Sequence, residues 1–279
     1  MTTIAVTGAT GQLGRLAIAA LKTRAAGDKI IALARSPEKA TDLGVEVRAF
    51  DYTRIDPRAL AGVDVLVLIS SNDFNDRAGQ HKAAIDAGKA AGVGRIVYTS
   101  ILKGEASGMV LAQDHIVTEA ALKASGVDHT ILRNGWYTEN YTGSLAAAIG
   151  AGALIGSTGE GRISSAARAD YAEAIAVVAA GQGHAGKVYE LAGDTAYTMA
   201  DMAAEVSRQT GKTIPYTALP EAVYAGILES FGLPPAFSAV LADSDVQASK
   251  GALFDDSHSL SRLIGRATTP MAATVAAAL

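Results

Sequence analysis

The feature that most constrains this chain is the run Thr7-Gly8-Ala9-Thr10-Gly11-Gln12-Leu13-Gly14, which directly follows the apolar residues Ile4-Ala5-Val6. Its glycines recur at every third position, a spacing of G-x-x-G-x-x-G. A glycine just after a strand permits a tight turn, a second lets the backbone approach a ligand, and a third lets the next helix pack closely on the sheet. The helix that opens there directs free N–H groups and the positive end of its macrodipole at the turn, which favours an anion such as a pyrophosphate. The strand in front and the helical pattern behind supply the context that a dinucleotide-binding turn requires.

The first 135 residues keep that rhythm. Strands are predicted at Thr3–Thr7, Lys29–Ala34, Val45–Ala49, Asp64–Ile69, Arg95–Thr99 and His129–Leu132, with helices at Gln12–Ala25, Asp76–Ala91 and Ala112–Ser125. Several strands are nearly continuous Val and Ile, as expected of parallel strands covered on both faces. The alternation predicts an α/β fold, a Rossmann-type doubly wound parallel sheet with right-handed crossovers. Beyond residue 136 the pattern loosens. Segment 150–169 is rich in Gly and Ser and predicts loops and short strands. A helix is expected from Asp170 to about Ala180, a sheet strand at Lys187–Leu191, and a capped helix from Thr198 with Asp201 to about Thr210. The remainder reads as mainly helical. The expected division is an NADP-binding domain over 1–150, joined by the late strand near 187–191, and a smaller α-rich substrate lobe over 151–279.

Composition closes off several function classes. Of the 279 residues, 49% are hydrophobic and 19% charged, with a formal net charge of −4, so the chain is globular and lacks the basic patch of a nucleic-acid binder. It has no cysteine, which removes disulfides, thiolate metal sites and cysteine nucleophiles and fits a reducing cytoplasm. Met1–Thr7 carries no Lys or Arg ahead of its apolar residues, so it predicts a strand and not a signal peptide. The apolar window from Leu145 to Gly156 is short and broken by glycines, so no membrane span is expected.

The second strand selects the cofactor. An Asp or Glu at its end takes the ribose 2′-hydroxyl of NAD, whereas an Arg suits the 2′-phosphate of NADP. Here the strand ends in Ala34-Arg35-Ser36, without an acid, which predicts NADPH. Asp51, after the third strand, could bond the adenine amino group or cap the next segment. Ile69-Ser70-Ser71-Asn72 ends the fourth strand at the carboxyl edge, where ligands bind in such sheets. The chemistry is narrowed by what is missing. Short-chain dehydrogenases protonate an alkoxide with a Tyr whose Lys partner lies four residues on, and none of the nine tyrosines here is followed in that way by Lys. Only the Ser-like position survives, in Tyr98-Thr99-Ser100. An acceptor that needs little acid help therefore fits. A quinone is one, because its two-electron reduction gives a stabilised hydroquinone anion. Binding NADPH without turnover is the other outcome.

Across nearly its whole length the chain resembles the NmrA-like branch of the atypical short-chain dehydrogenases, and within it the bacterial NAD(P)H:quinone oxidoreductases and triphenylmethane reductases. The resemblance is carried by Val6–Gly14, Ala32–Pro37, Ala90–Val93, Tyr98–Ser100, Leu132–Tyr141, Arg168–Tyr171, Gly186–Gly193 and Leu241–Gly251. It implies NADPH contacts from Gly8, Ala9, Thr10, Gly11, Gln12 and Leu13, from Arg35, from Ser70, Ser71 and Asn72, and from Asn134, Gly135, Trp136, Tyr137, Thr138 and Glu139. It also implies a quinone stacked near the nicotinamide, without flavin or metal, and leaves a homodimer open. The alternatives it carries are reduction of triphenylmethane dyes or other conjugated electrophiles, and NADP(H) sensing of the NmrA type. Asn72-Asp73-Phe74 departs from a more Ser-like stretch and predicts a different pocket wall.

Three residues are the candidate catalytic groups: Tyr137, His115 and Ser100. Gly135 allows close backbone approach, while Trp136 and Tyr137 offer flat faces to a ring or fill core. His115 lies on the helix that would carry the Tyr/Lys pair. It could orient an acceptor oxygen, donate a proton, or serve as a hydrogen-bonded structural residue. His81 is the other histidine whose helix could face the site. Lys103 reads as a solvated cation, and the acidic run Asp243, Asp245, Asp255 and Asp256 as caps and turns in place of a metal site.

Overall fold

The computed structural model describes residues 1–73 and 75–279. Among the described residues there are nine strands: β1 Thr3–Val6, β2 Lys29–Ala34, β3 Glu46–Ala49, β4 Val65–Leu68, β5 Arg95–Ile101, β6 Asp128–Asn134, β7 Leu154–Gly156, β8 Val188–Leu191 and β9 Tyr216–Ala218. The helices are α1 Gln12–Arg24, α2 Arg77–Ala90, α3 Ala112–Ser125, α4 Glu139–Thr142, α5 Leu145–Ala151, α6 Arg168–Ala180, α7 Met199–Thr210, α8 Glu221–Ser230, α9 Pro235–Ser249, α10 Ser259–Ile264 and α11 Met271–Ala278.

The main sheet has seven strands in the order β3-β2-β1-β4-β5-β6-β8, and β1 to β6 run parallel to their neighbours. The chain builds outward from β1 to β3, then crosses back to β4 on the other side of β1. That reversal makes the carboxyl ends of β1 and β4 the switch point at which such sheets bind ligands. The Val/Ile strands behave as their composition requires: β4 (Val-Leu-Val-Leu) is buried at every position, and Ile4, Ile31, Leu66, Ile96 and Ile131 are fully covered. β3 lies at the edge and is only half-buried, and its Glu46 pairs with Lys29 and Arg48 at 2.6 and 2.7 Å. Charges of this kind blunt an exposed edge.

The turn after β1 shows why its glycines are needed. Gly8 sits at φ 59°, a left-handed conformation that side chains disfavour. At Gly14, an added Cβ would stand 2.2 Å from the Gly8 carbonyl oxygen and 2.9 Å from the Ala9 Cα, so only glycine lets α1 start this close to the turn.

The chain forms two compact units that interleave in sequence. One comprises Met1–Gly104, Asp114–Asn134 and Arg168–Tyr189; the other comprises Glu105–Gln113, Gly135–Ala167 and Glu190–Leu279. The chain leaves the first unit after β6 and returns for α6, a helix rich in Ala, Ile and Val with nine buried positions. The second unit contains the predicted capped helix: the Thr198 hydroxyl accepts from Asp201 N at 3.1 Å and the Asp201 carboxylate accepts from Thr198 N at 2.8 Å. It also contains the short parallel pair β7–β9. In the acidic run, Asp255 takes the expected turn role, accepting from Ser257 N at 3.0 Å. Asp245 does not. It is buried in α9, accepts from Ser157 N at 2.8 Å, and burial raises its carboxyl to about 6.

Replacing Gly14 with Ala forces the turn and α1 apart. Gly14→Ala is expected to cost about 1–3 kcal/mol and to weaken cofactor binding, read as a lower urea midpoint and a higher NADPH Kd. A variant unchanged in both would contradict the packing role.

Candidate active site

The carboxyl ends of β1 and β4 meet at the glycine turn, where Gly8 faces Ile69: a Cβ on Gly8 would lie 3.7 Å from the Ile69 side chain. Gly11 N donates to the Gly8 carbonyl at 2.9 Å. The N-terminus of α1 has no side-chain cap and no acidic residue in its first turn, so its N–H groups and dipole meet no competing negative charge. Gly8, Gly11 and Gln12 are exposed there, while Ala9 and Leu13 are buried beneath them. A glycine cradle with an open helix N-terminus fits a pyrophosphate. Arg35 is exposed just beyond β2, close enough to Asp51 to help lower its carboxyl, although the chief cause is the Thr53 backbone hydrogen bond. Asp51 accepts from both Thr53 N and Thr53 Oγ1, at 2.9 and 2.8 Å, so of its two expected roles the turn cap is the one the geometry forms.

The segment after β4 is held almost atom by atom. Ile69 N donates to Thr7 Oγ1 at 2.9 Å, and the Ile69 carbonyl accepts from Tyr52 OH at 2.9 Å. Ser70 N donates to Thr99 Oγ1 at 2.9 Å. Ser71 is gripped by residues at i, i+3 and i+4 on α2: Arg77 Nε donates to its carbonyl at 2.7 Å, its hydroxyl donates to Gln80 Oε1 at 3.1 Å, and its N–H donates to His81 Nε2 at 2.9 Å. The Ser71 hydroxyl also accepts from Asp73 N at 3.0 Å, so its side chain is engaged within the protein, whereas Asn72 beside it is exposed. Phe74 lies outside the described residues.

Behind this segment sits a buried polar cluster. Tyr98 of β5, fully covered, places its hydroxyl 2.7 Å from His115 Nδ1 and 3.4 Å from His81 Nδ1. Thr118 Oγ1 is 3.0 Å from the same His81 nitrogen and donates to the Asp114 carbonyl at 2.7 Å. Burial, with the Arg77 guanidinium nearby, pulls both histidines down to about 3, so both rings are neutral at physiological pH.

Ser100 lies near the carboxyl end of β5. It is buried and donates to Glu119 Oε1 at 2.6 Å, and Glu119 is also held by Arg133 at 2.9 and 2.7 Å. Burial pushes the Glu119 carboxyl up, but the bonds from Arg133 and Ser100 outweigh it and leave the group ionised below its usual range. The single hydroxyl proton of Ser100 is thus committed to an ion pair. Lys103, at φ 68°, turns the chain into Gly104, where a Cβ would lie 2.3 Å from the Arg133 guanidinium.

Asn134 ends β6 and is buried in the first unit. Gly135, Trp136, Tyr137, Thr138 and Glu139 belong to the second. There Gly135 N donates to Leu191 O at 2.7 Å, Trp136 is 9% exposed, and Tyr137 bridges Ala166 in parallel register. Thr138 is buried with its hydroxyl 2.8 Å from Ser165 Oγ, and Glu139 is half-buried in the first turn of α4.

Residues 8–182 match the family model described as NAD(P)H-binding, and they include the glycine cradle. The chain belongs to this NAD(P)H-binding family. It is 51% identical over 277 residues to quinone oxidoreductase 2 of Escherichia coli K12, covering 98% of this chain and 97% of that protein. Its fold matches the crystal structure of the E. coli NADPH-dependent quinone oxidoreductase complexed with NADPH, with a TM-score of 0.95, 50% identity and coverage of 98% and 99% of the two chains. It also matches the Citrobacter sp. triphenylmethane reductase complexed with NADP(H), at a TM-score of 0.91 and 35% identity over 99% of this chain and all of that one.

Local sequence pattern does not mark Arg77 and Gln80 as partners of Ser71, or Tyr98 and Thr118 as partners of His81. The spacing of Arg77, Gln80 and His81 along one helix face was an available signal, as was a tyrosine in an otherwise Val/Ile strand.

Two measurements check this geometry. Ser100→Ala should retain kcat close to wild type, since its proton is already spent on Glu119; a loss of about 100-fold, the scale expected of a positioned proton donor, would restore a catalytic role. The histidine shifts carry a sign. Each ring titrates near 6.5 when unfolded and near 3 when folded, so its stabilising contribution is complete above pH 6.5 and is lost as pH falls towards 3. Unfolding free energy should therefore drop by about 1.4 kcal/mol per pH unit for each histidine below pH 6.5, and a flat profile down to about pH 5 would contradict it.

Proposed function

We propose that this chain is an NADPH-dependent quinone oxidoreductase that reduces its acceptor by two electrons through direct hydride transfer. The observation that carries this is the end-to-end likeness to quinone oxidoreductase 2 of E. coli. The local chemistry agrees with it: a glycine cradle at an uncapped helix N-terminus, an Arg and no acid after β2, and no Tyr/Lys pair.

When bound, NADPH supplies the hydride from its nicotinamide ring and leaves as NADP⁺. The chain's own part is to bind and orient. The turn from Gly8 to Leu13 takes the pyrophosphate, Arg35 takes the 2′-phosphate, and the clamped Ser70–Asn72 segment gives a rigid wall beside the nicotinamide side of the cradle. Positioning of this kind can supply about 7–11 kcal/mol of a bimolecular barrier. Negative charge on a reduced quinone is spread over a conjugated ring, so a strong general acid is not required. Tyr137, in the second unit, is proposed as a flat contact for a ring. Triphenylmethane dyes are the second acceptor class, favoured by the fold match to the Citrobacter reductase. Among the described residues no helix is long and apolar enough to cross a membrane. We place this cysteine-free chain in the cytoplasm.

Steady-state oxidation of NADPH with 1,4-benzoquinone or a naphthoquinone tests the activity, and Arg35→Asp tests the cofactor assignment. Loss of a charge-assisted contact should lower kcat/KM for NADPH by about 10- to 100-fold, with little change for NADH. An unaltered preference would remove Arg35 from the site. Tight NADPH binding without turnover on any quinone would overturn the enzyme assignment in favour of cofactor sensing.

A further inference from the structure

The buried cluster behind Ser71 has a direction that can be followed proton by proton. Ser71 N–H can only donate, so His81 Nε2, 2.9 Å away, is an unprotonated acceptor. A neutral His81 therefore carries its proton on Nδ1. Thr118 confirms this from the other side. Its own proton goes to the Asp114 carbonyl at 2.7 Å, so its oxygen accepts from His81 Nδ1 at 3.0 Å. With His81 Nδ1 a donor, the Tyr98 hydroxyl has one short acceptor for its proton, His115 Nδ1 at 2.7 Å. A neutral His115 that accepts on Nδ1 must carry its own proton on Nε2. Among the described residues, nothing pairs with that nitrogen, and it is not one of their fully buried unpaired atoms, so it stays accessible to an incoming group although His115 as a whole is 6% exposed.

We propose that His115 presents this fixed Nε2–H to an oxygen of the acceptor, and that Tyr98 is the positioning residue that sets the tautomer. The role rests on the quinone-reductase assignment above. His115 lies in the first turn of α3, which follows β5, and His81 links the same chain to Ser71 after β4, so the cluster stands at the carboxyl ends of the two strands. Two-electron reduction of a quinone places negative charge on an oxygen, and a preorganised N–H stabilises such charge well. The neutral ring keeps its proton. The hydroquinone is completed by one proton from water, which balances the hydride delivered by the cofactor. His81 cannot act as a relay to solvent, because its outer nitrogen is occupied by a backbone amide that does not release a proton. This separates the two roles open to His115: it hydrogen-bonds the oxygen and does not titrate, in keeping with the depressed basicity of both rings.

The test uses full-length protein labelled with ¹⁵N-histidine. At neutral pH, wild type should show His115 protonated on Nε2 and His81 on Nδ1, and neither signal should titrate down to about pH 5. Tyr98→Phe should shift His115 towards a mixture of tautomers and lower kcat/KM for benzoquinone by about 10- to 100-fold, while NADPH binding stays close to wild type. His115→Gln, whose amide can place an N–H near the Nε2 position, should retain more activity than His115→Ala. His115 protonated on Nδ1 in wild type, or a His115→Ala enzyme with normal kcat/KM, would overturn the proposal. Failure of the underlying assignment looks different: wild type would show the stated tautomers and reduce no quinone, and the Nε2–H would then have no acceptor oxygen to serve.

Discussion

The structure depends most on how the three residues after β4 are held. In an ordinary loop, backbone N–H and C=O groups are met by water. Here the N–H groups of Ile69, Ser70 and Ser71 and the carbonyls of Ile69 and Ser71 are met by the side chains of Thr7, Thr99, His81, Tyr52 and Arg77. These come from β5, α2, the end of β1 and the segment after β3, so a turn at the ligand-binding edge is fixed by the sheet around it. Thr7 ties β1 to β4 three times, its hydroxyl accepting from Ile69 N and donating to Val67 O at 3.2 Å and its N–H donating to Val67 O at 3.0 Å, and thereby places the glycine turn beside the clamped segment. Rigidity at this point suits a reaction whose catalysis is mostly placement.

Much of this architecture was legible in the sequence. Each main-sheet strand and its helix could be located from Val/Ile runs and Ala-rich helical periods, usually to within a residue or two, because burial on both faces leaves a strong signal. The glycine turn was equally plain, since Gly8 and Gly14 are demanded by backbone geometry. The division into two units was less so. Alternation fades at residue 136, but α6 returns to the first unit, and nothing local to Arg168–Ala180 records which body a helix this rich in Ala, Ile and Val will join. The three-residue strand β9 carried too few residues for a period.

Site chemistry divided along the same line. That Gly8, Arg35 and Ser70 lie at a turn or a strand end follows from local pattern. Pairings across the fold do not. Ser100 occupies the place of a catalytic serine, yet its proton goes to a glutamate 19 residues on, and the Arg133 that completes that pair comes from the next strand. Tyr98 looked like another strand residue, and only the packing of α2 and α3 shows that it joins two histidines. The missing Tyr/Lys pair was visible as an absence. The buried cluster of His81, Tyr98 and His115 holds two neutral rings, which suits hydrogen bonding more than proton supply.

On this scaffold the proposed reaction is direct hydride transfer from NADPH to a quinone. Single-turnover mixing of the enzyme, preloaded with NADPH deuterated on the transferring face of the nicotinamide C4, with 1,4-benzoquinone tests it most directly. Direct transfer gives one kinetic phase in which cofactor oxidation and hydroquinone formation coincide, slowed by a primary isotope effect, without added flavin. Cofactor oxidation without an isotope effect, or a deuterium-labelled cofactor that stays reduced in the presence of quinone, would contradict it.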